Sequence, residues 1–278
     1  MHRRAALGGL LSAGLTATAR TDALPLSLTG KAQQGGFLLG RTTPRAPITV
    51  DGVSEGLASQ AGYFIAGFDR DAAPQARIEV GTPTGLTGQT VTVAPTAYDI
   101  QRVDGLAEDQ VNPQGEALLA RIAAESARKA VGFSSRTDTD DFRTGFKLPL
   151  KAFRQSARFG GQRILNGIAK RPHYGADLAA PKGTPILAPA AGLVTFAETG
   201  LHFEGGLTLI DHGQGLITAY LHQSRIDVRR GDRVRQGQMI GSVGMEGRAT
   251  GPHLCWRLKW HGRNLDPMLM VGAPRYDL

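Results

Sequence analysis

The sequence predicts a mainly β protein built from a small N-terminal β-sandwich, a helical connector and a C-terminal antiparallel β core. Three observations point there. Short apolar runs alternate with polar residues at period two over most of the chain. The 37 glycines among 278 residues punctuate those runs, as turns do and long helices do not. Only one stretch, near the middle, carries helical spacing.

The elements follow in chain order. Arg3 and Arg4 precede the apolar run "AALGGLLSAGLTATA", which ends on Ala17-Thr18-Ala19, a small-residue cleavage pattern. Residues 1–19 therefore read as a signal peptide, and the protein is expected to be exported to the periplasm or cell envelope. The run is short for a bilayer, and no other segment is long and apolar enough to span one. Residues 24–100 hold "GGFLLGRT", "APITVDG", "AGYFIAGFDRD" and "ARIEVGT", strands joined by turns that form the sandwich. No residue cluster there suggests chemistry, so its expected role is positional. Residues 108–132 form the connector: Asn112 is the expected helix cap, with Pro113 at the first position. Leu119, Ile122, Ala123, Ala127 and Ala130 make its apolar stripe, interrupted by Ser126. "SSRTDTDDFRTG" has no apolar period and reads as an exposed linker. Residues 146–272 return to β, with "TPILAP", "GLVTFAE", "LTLIDHG", "LITAYLH", "MIGSVG" and "HLCWRLKW" as strands. Within them "VRRGDRVRQGQMIGSV" shares its tight glycine bends with biotinyl and lipoyl carrier domains. It lacks their lysine hairpin, so the likeness is one of geometry.

Charge separates the halves. Residues 20–130 carry ten basic and twelve acidic side chains, and residues 131–278 carry twenty and twelve. The basic C-terminal half suits a polyanionic partner. A nucleic-acid binder is not indicated, because neither interleaved aromatics nor a recognition motif accompanies the charge.

Cys255 is the sole cysteine, so no internal disulfide forms. It lies two residues after His253 in a strand, hence on the same face. His173 and Asp177 flank a short glycine-containing spacer, and Thr218, Tyr220 and His222 alternate onto one face. Imidazole, carboxylate and thiolate are the common zinc ligands, and a catalytic zinc takes three protein ligands. His173, Asp177 and either His253 or Cys255 can supply them, leaving the other histidines for proton transfer. His202 and His212 read as surface or structural residues, and His261 as an exposed hairpin residue.

The stretches "RPHYGADLAAPKGTPILAPAAGLVTFAE", "GGLTLIDHGQGLITAYLH", "VRRGDRVRQGQMIGSVGMEGRATGPHLCW" and "GRNLDP" together resemble the lysostaphin-type zinc metalloendopeptidases, which cut peptidoglycan peptides. The resemblance implies an antiparallel peptidase core with an open groove and a single Zn²⁺. It makes His173 and Asp177 metal ligands, and makes His222 and His253 the catalytic pair that activates water and steadies negative charge. It also implies stem peptides or cross-bridges of peptidoglycan as substrate. The family's third ligand is the second histidine of a His-x-His pair, and here that position is Cys255. A thiolate lowers the charge of the metal site, which predicts tighter metal retention, a higher pH optimum and slower turnover. Because some relatives that lost ligands serve as amidase activators, a catalytically inactive binding module is the alternative.

Overall fold

The computed structural model describes residues 26–273; the expected signal peptide lies outside them. The fold is mainly β, as expected. Among the described residues the N-terminal part has seven strands: β1 (Ser27–Lys31), β2 (Phe37–Arg41), β3 (Pro47–Val50), β4 (Val53–Leu57), β5 (Tyr63–Gly67), β6 (Gln75–Thr82) and β7 (Gly85–Thr92). They form two antiparallel sheets in the orders β1-β2-β5 and β4-β3-β6-β7. Alternation sets the inner faces: in β6, Ala76, Ile78 and Val80 are buried while Gln75 and Arg77 are exposed. Ile48, Val50, Phe64 and Ile65 complete the packing between the sheets.

Strand β8 (Ile100–Val103) then leaves the N-terminal part and pairs in parallel with β10 (Gln162–Leu165) of the C-terminal part. A single-turn helix α1 (Glu108–Val111) follows, then the long helix α2 (Glu116–Phe133). This corrects two expectations. Asn112 ends α1, and α2 starts after Gly115, which adopts φ 87. The alanine stripe also faces outward: Leu119, Ala123, Ala127 and Ala130 are exposed and Ile122 is half-buried, while Glu125 and Gly132 are the buried positions. Polar contacts therefore dock the helix. Glu125 accepts the His202 backbone N–H at 2.9 Å, and Lys129 pairs with Glu204 at 2.6 Å. The segment expected to be an exposed linker is tied down as well. Ser135 and Thr137 donate to Asp211 at 2.6 and 2.9 Å, and Phe142 is buried.

The C-terminal part contains β9 (Arg154–Ala157), β10, β11 (Ile168–Ala169), β12 (Ala176–Ala179), β13 (Pro185–Leu187), β14 (Gly192–Leu201), β15 (Gly205–Asp211), β16 (Leu216–Leu221), β17 (Arg225–Ile226), β18 (Arg233–Val234), β19 (Met239–Ser242), β20 (His253–Trp260) and β21 (Arg263–Leu265). The main sheet runs β18-β14-β15-β16-β20-β12-β9, with β21 also paired to β20, and β13-β19-β17 form a smaller sheet. One apolar core spans both β regions. At their contact Gly67 lies so near Leu265 and Trp260 that a Cβ would sit 3.0 Å from each.

His261 is not exposed: it pairs with Glu55 of β4 at 2.6 Å, and Arg263 reaches the same carboxylate at 2.6 Å. His202 is buried, and its Nε2 donates to the Asp109 carbonyl at 3.0 Å. His212 is fully buried. Its Nδ1 donates to the Ala191 carbonyl at 2.7 Å, which leaves Nε2 to accept from Thr218 Oγ1 at 2.7 Å. The Thr218 oxygen then accepts from the Tyr220 hydroxyl at 2.8 Å. Burial pushes the His212 imidazole down to about 4.

Candidate active site

Cross-strand register builds the site. In the antiparallel pair β12–β20, Asp177 stands directly opposite Cys255, where side chains on one face lie within a few ångströms. His173 precedes β12 by one short turn. Its backbone is held on both sides, by Gly160 N donating to its carbonyl at 2.7 Å and by its own N–H donating to Gly161 O at 2.8 Å. Gly175 makes the approach possible. A Cβ there would lie 2.8 Å from the Trp256 carbonyl oxygen and 3.3 Å from Cys255 Sγ, so a side chain would push the His173 turn off β20.

His173 Nε2 lies 3.1 Å from Asp177 Oδ1 and 3.2 Å from Cys255 Sγ. These three residues are the one group of metal-capable side chains found among the described residues, with ligand atoms all within 4.8 Å. All three are buried, and Asp177 Oδ1 has no hydrogen-bond partner among the described residues. A tetrahedral zinc with these donors has ligand-to-ligand edges of about 3.4–3.6 Å, a few tenths longer than the two contacts. The donor set and the unsatisfied oxygen fit a divalent metal.

Two arginines face the cluster. Arg163 Nη2 donates to Asp177 Oδ2 at 2.9 Å, and Arg257 Nε donates to Cys255 Sγ at 3.4 Å. Burial pushes the His173 imidazole down to about 4, against the pull of Asp177. Burial alone would raise Asp177, but His173 and then Arg163 outweigh it and hold the carboxyl well below its usual range. Burial, then the Asp177 charge, pushes the Cys255 thiol up to about 12 in the metal-free cluster.

His222 and His253 stand beside it with ring centroids 4.7 Å apart. His222 does not lie on the Thr218–Tyr220 face, as simple alternation requires. It ends β16 in the left-handed region, at φ 65, and this turns its ring toward His253. The left-handed region is uncommon for residues other than glycine, with His among the tolerated exceptions. His222 Nδ1 donates to the Glu246 carbonyl at 2.7 Å and His253 Nδ1 to the Gly251 carbonyl at 2.9 Å. A carbonyl only accepts, so Nδ1 carries a hydrogen in both rings, and the neutral form of either ring has its lone pair at Nε2. His253 Nε2 lies 3.7 Å from Asp177 Oδ1. Burial, helped by His253, pushes His222 down to about 3.

All five residues singled out in the sequence thus meet at one place. Arg163 and Arg257 were missed. Arg257 was legible as the next same-face neighbour of Cys255; nothing in the sequence pointed from Arg163 to Asp177. Strand β8 and the segment that follows it also border the site. Gln101 to Asp104 and Leu106 line a cavity of about 570 Å³ together with Asp177, His222 and His253. Asn166 and Leu106 exchange two hydrogen bonds at 2.7 and 3.2 Å, and Arg248 Nη1 donates to the Gln110 carbonyl at 3.1 Å.

Residues 171–267 match the profile of peptidase family M23. The chain carries an M23 peptidase domain. It is homologous to the lysostaphin-type peptidases. Over 119 residues it is 40% identical to the peptidoglycan DD-endopeptidase ShyA of Vibrio cholerae, covering 42% of this chain and 27% of that protein. Over 135 residues it is 38% identical to the DD-carboxypeptidase/endopeptidase Mpg of Neisseria meningitidis serogroup B, covering 48% of this chain and 31% of that protein. The matched segments thus span about a third or less of these relatives. A crystal structure described as a peptidase M23 from Pseudomonas aeruginosa superposes with a TM-score of 0.68 at 28% identity, over 88% of this chain and 97% of that one. The last match extends beyond the M23 domain into the N-terminal strands and connector.

Proposed function

We propose that this protein is an exported zinc metalloendopeptidase that hydrolyses peptide cross-links of peptidoglycan in the periplasm or cell envelope. One observation carries the reading: His173, Asp177 and Cys255 converge beside two imidazoles that both keep a free Nε2. The names of the M23 relatives supply the substrate class, and the basic C-terminal half suits an anionic wall. The working division of the chain is a signal peptide at 1–19, a sandwich at 24–100, a connector at 108–132 and the peptidase domain at 146–272.

His173, Asp177 and Cys255 would hold one Zn²⁺, in the place of the two histidines and one aspartate of lysostaphin-type sites. When bound, the metal supplies a Lewis acid that polarises the scissile carbonyl and acidifies water. Arg257, hydrogen-bonded to the sulfur, draws electron density from it and offsets part of the charge a thiolate adds. The two histidines are not equivalent. His253 Nε2 faces the Asp177 carboxylate, whose charge stabilises the imidazolium formed on taking a proton from water, so His253 is the general base. The Nε2–H so formed then delivers its proton to the departing amine. His222 is buried and adjacent to His253, and both conditions oppose a charge. It stays neutral and orients water or amine by accepting a hydrogen bond at Nε2. No helix among the described residues is long and apolar enough to cross a membrane.

A second reading, an inactive binding module, has one observation in its favour. Arg163 and Arg257 already engage Asp177 and Cys255, so the cluster's acidic groups have cationic partners without an ion. Metal analysis of the purified chain and of Cys255→Ala, with digestion of isolated wall and mass analysis of the fragments, separates the two. The hydrolase reading requires about one zinc per chain and peptide-bond cleavage, both lost in the variant.

A further inference from the structure

A second cavity, about 660 Å³, opens on the other flank of the metal cluster. His173 and Arg257 form the wall it shares with the cluster, and Arg163, Leu165 and Arg248 also border the cavity around His222 and His253. Among the described residues its lining contains six cationic side chains, Arg163, Lys170, Arg171, Arg248, Arg257 and Lys259, and no carboxylate. Strand periodicity explains part of this. His253, Cys255, Arg257 and Lys259 alternate onto one face of β20, and the paired residues of β16 opposite Arg257 and Lys259 are Ala219 and Ile217. Two cations therefore stand over a small apolar floor. Among the described residues, Lys170, Arg171, Arg248, Arg257 and Lys259 make no ion pair within 4.0 Å, although other arginines of this chain are paired. Lys259 Nζ sits 5.0 Å from the Phe133 ring centroid and Arg248 4.7 Å from that of Phe203, contacts that orient a cation without neutralising it. The unbalanced charge shows in its effect. Burial, then Arg163 and Arg257, brings Arg248 down to about 10, and burial with Arg257 lowers Lys259.

We propose that this recess is a carboxylate-binding subsite that reads free carboxylate groups on the peptide being cut. The inference rests on the hydrolase reading for the identity of the peptide, but not for the binding chemistry. Arg163 and Arg257 already face Asp177 and Cys255, but Arg248 and Lys259 have no counter-charge within 4.0 Å among the described residues, and half-buried cations so placed repel their neighbours. An anion held between the Arg257 fork and the Lys259 ammonium removes that repulsion and forms charge-assisted hydrogen bonds. Because the recess adjoins His173, a peptide lying over the cluster has room for a charged group on this side, while its reacting bond faces His222 and His253. The substrate class is then a peptide bearing acidic side chains or a free terminus, and amidation of those groups should weaken it.

The test uses the full chain and two preparations of one stem peptide from peptidoglycan, with its carboxylates free or fully amidated. Binding is measured by calorimetry at low salt. The free peptide should bind about tenfold more tightly than the amidated one, the worth of about one charge-assisted hydrogen bond. Lys259→Gln should erase that preference and Lys259→Arg should keep it; Lys259 touches no group of the cluster, so the folded site is preserved. Equal binding of both peptides by the parent chain would overturn the subsite, as would a preference that survives Lys259→Gln. Inorganic phosphate is the third probe. If it binds in a Lys259-dependent manner while neither peptide does, the recess serves a phosphate-bearing polymer and the carboxylate assignment is wrong. Cleavage of wall with no preference between peptides sinks the subsite alone, whereas a preference with no cleavage sinks the hydrolase reading and leaves the subsite standing.

Discussion

Binding of zinc should release about one more proton from this protein than from its Cys255→His variant. The count comes from the site. In the metal-free cluster the Cys255 thiol stands at about 12 and His173 at about 4, and Asp177 is held well below its usual range. At pH 6.5 the first is therefore protonated and the other two are not. Coordination requires thiolate, neutral imidazole and carboxylate, so sulfur is the one ligand that must lose a proton. A histidine at 255, buried as His173 is, would be neutral already. Water held at zinc loses its proton near pH 7, so at pH 6.5 it adds less than one proton, and the less positive thiolate site should lose the smaller share, which narrows the difference without closing it. Wild-type affinity should accordingly rise about tenfold per pH unit between pH 6 and 8, roughly 1.4 kcal/mol each, and that of Cys255→His should stay nearly flat. Calorimetry at pH 6.5 in two buffers of different ionisation enthalpy gives the count directly. Equal proton release from the two proteins would refute sulfur ligation and with it the ligand set.

Three further outcomes are expected. His253→Ala and His222→Ala should each lower wall cleavage by about 10²–10⁴-fold while zinc content stays at one per chain; a fall in metal content instead would make them ligands. Acid should destabilise the fold through His212, whose folded value of about 4 lies below an unfolded value of about 6.5. The unfolded chain then binds the extra proton, so the contribution is complete above pH 6.5 and is lost as pH falls toward 4. This is worth about 2–3 kcal/mol by pH 4.5, seen as a drop in urea midpoint that His212→Gln should reduce. Glu55→Gln removes the carboxylate shared by His261 and Arg263 and should cost about 2 kcal/mol, the worth of a hydrogen bond to a charged group, read as a lower thermal midpoint; no change would mean the two β regions do not lean on this contact.

Much of the fold could be read from the chain because its signals are local. Alternation marked "ARIEVGT" as a strand, glycines marked the turns, and the His173–Asp177 spacing and the His253–Cys255 pair named the donors. Where local signals misled, a tertiary contact had prevailed. The alanines of α2 look like a core stripe, yet Glu125 and Lys129 face the protein because the turn between β14 and β15 offers them His202 and Glu204. The strand rule misplaced His222 because a single left-handed residue reverses the alternation. His261 reads as a hairpin tip, and only the packing of β4 against it explains its burial.

The sequence by itself determined the β class, the residue types of the site and the pairing of Cys255 with a same-face histidine. Those depend on periods of two residues and on side-chain chemistry, which the chain carries wherever it goes. Tertiary structure alone decided that Asp177 stands opposite Cys255, that two backbone carbonyls accept from Nδ1 of His222 and His253, and that six cations gather around one recess. Those facts depend on distances between residues as many as ninety-six positions apart, Arg163 and Lys259 in the recess. Electrostatic energy follows distance in space, and separation along the chain does not report it.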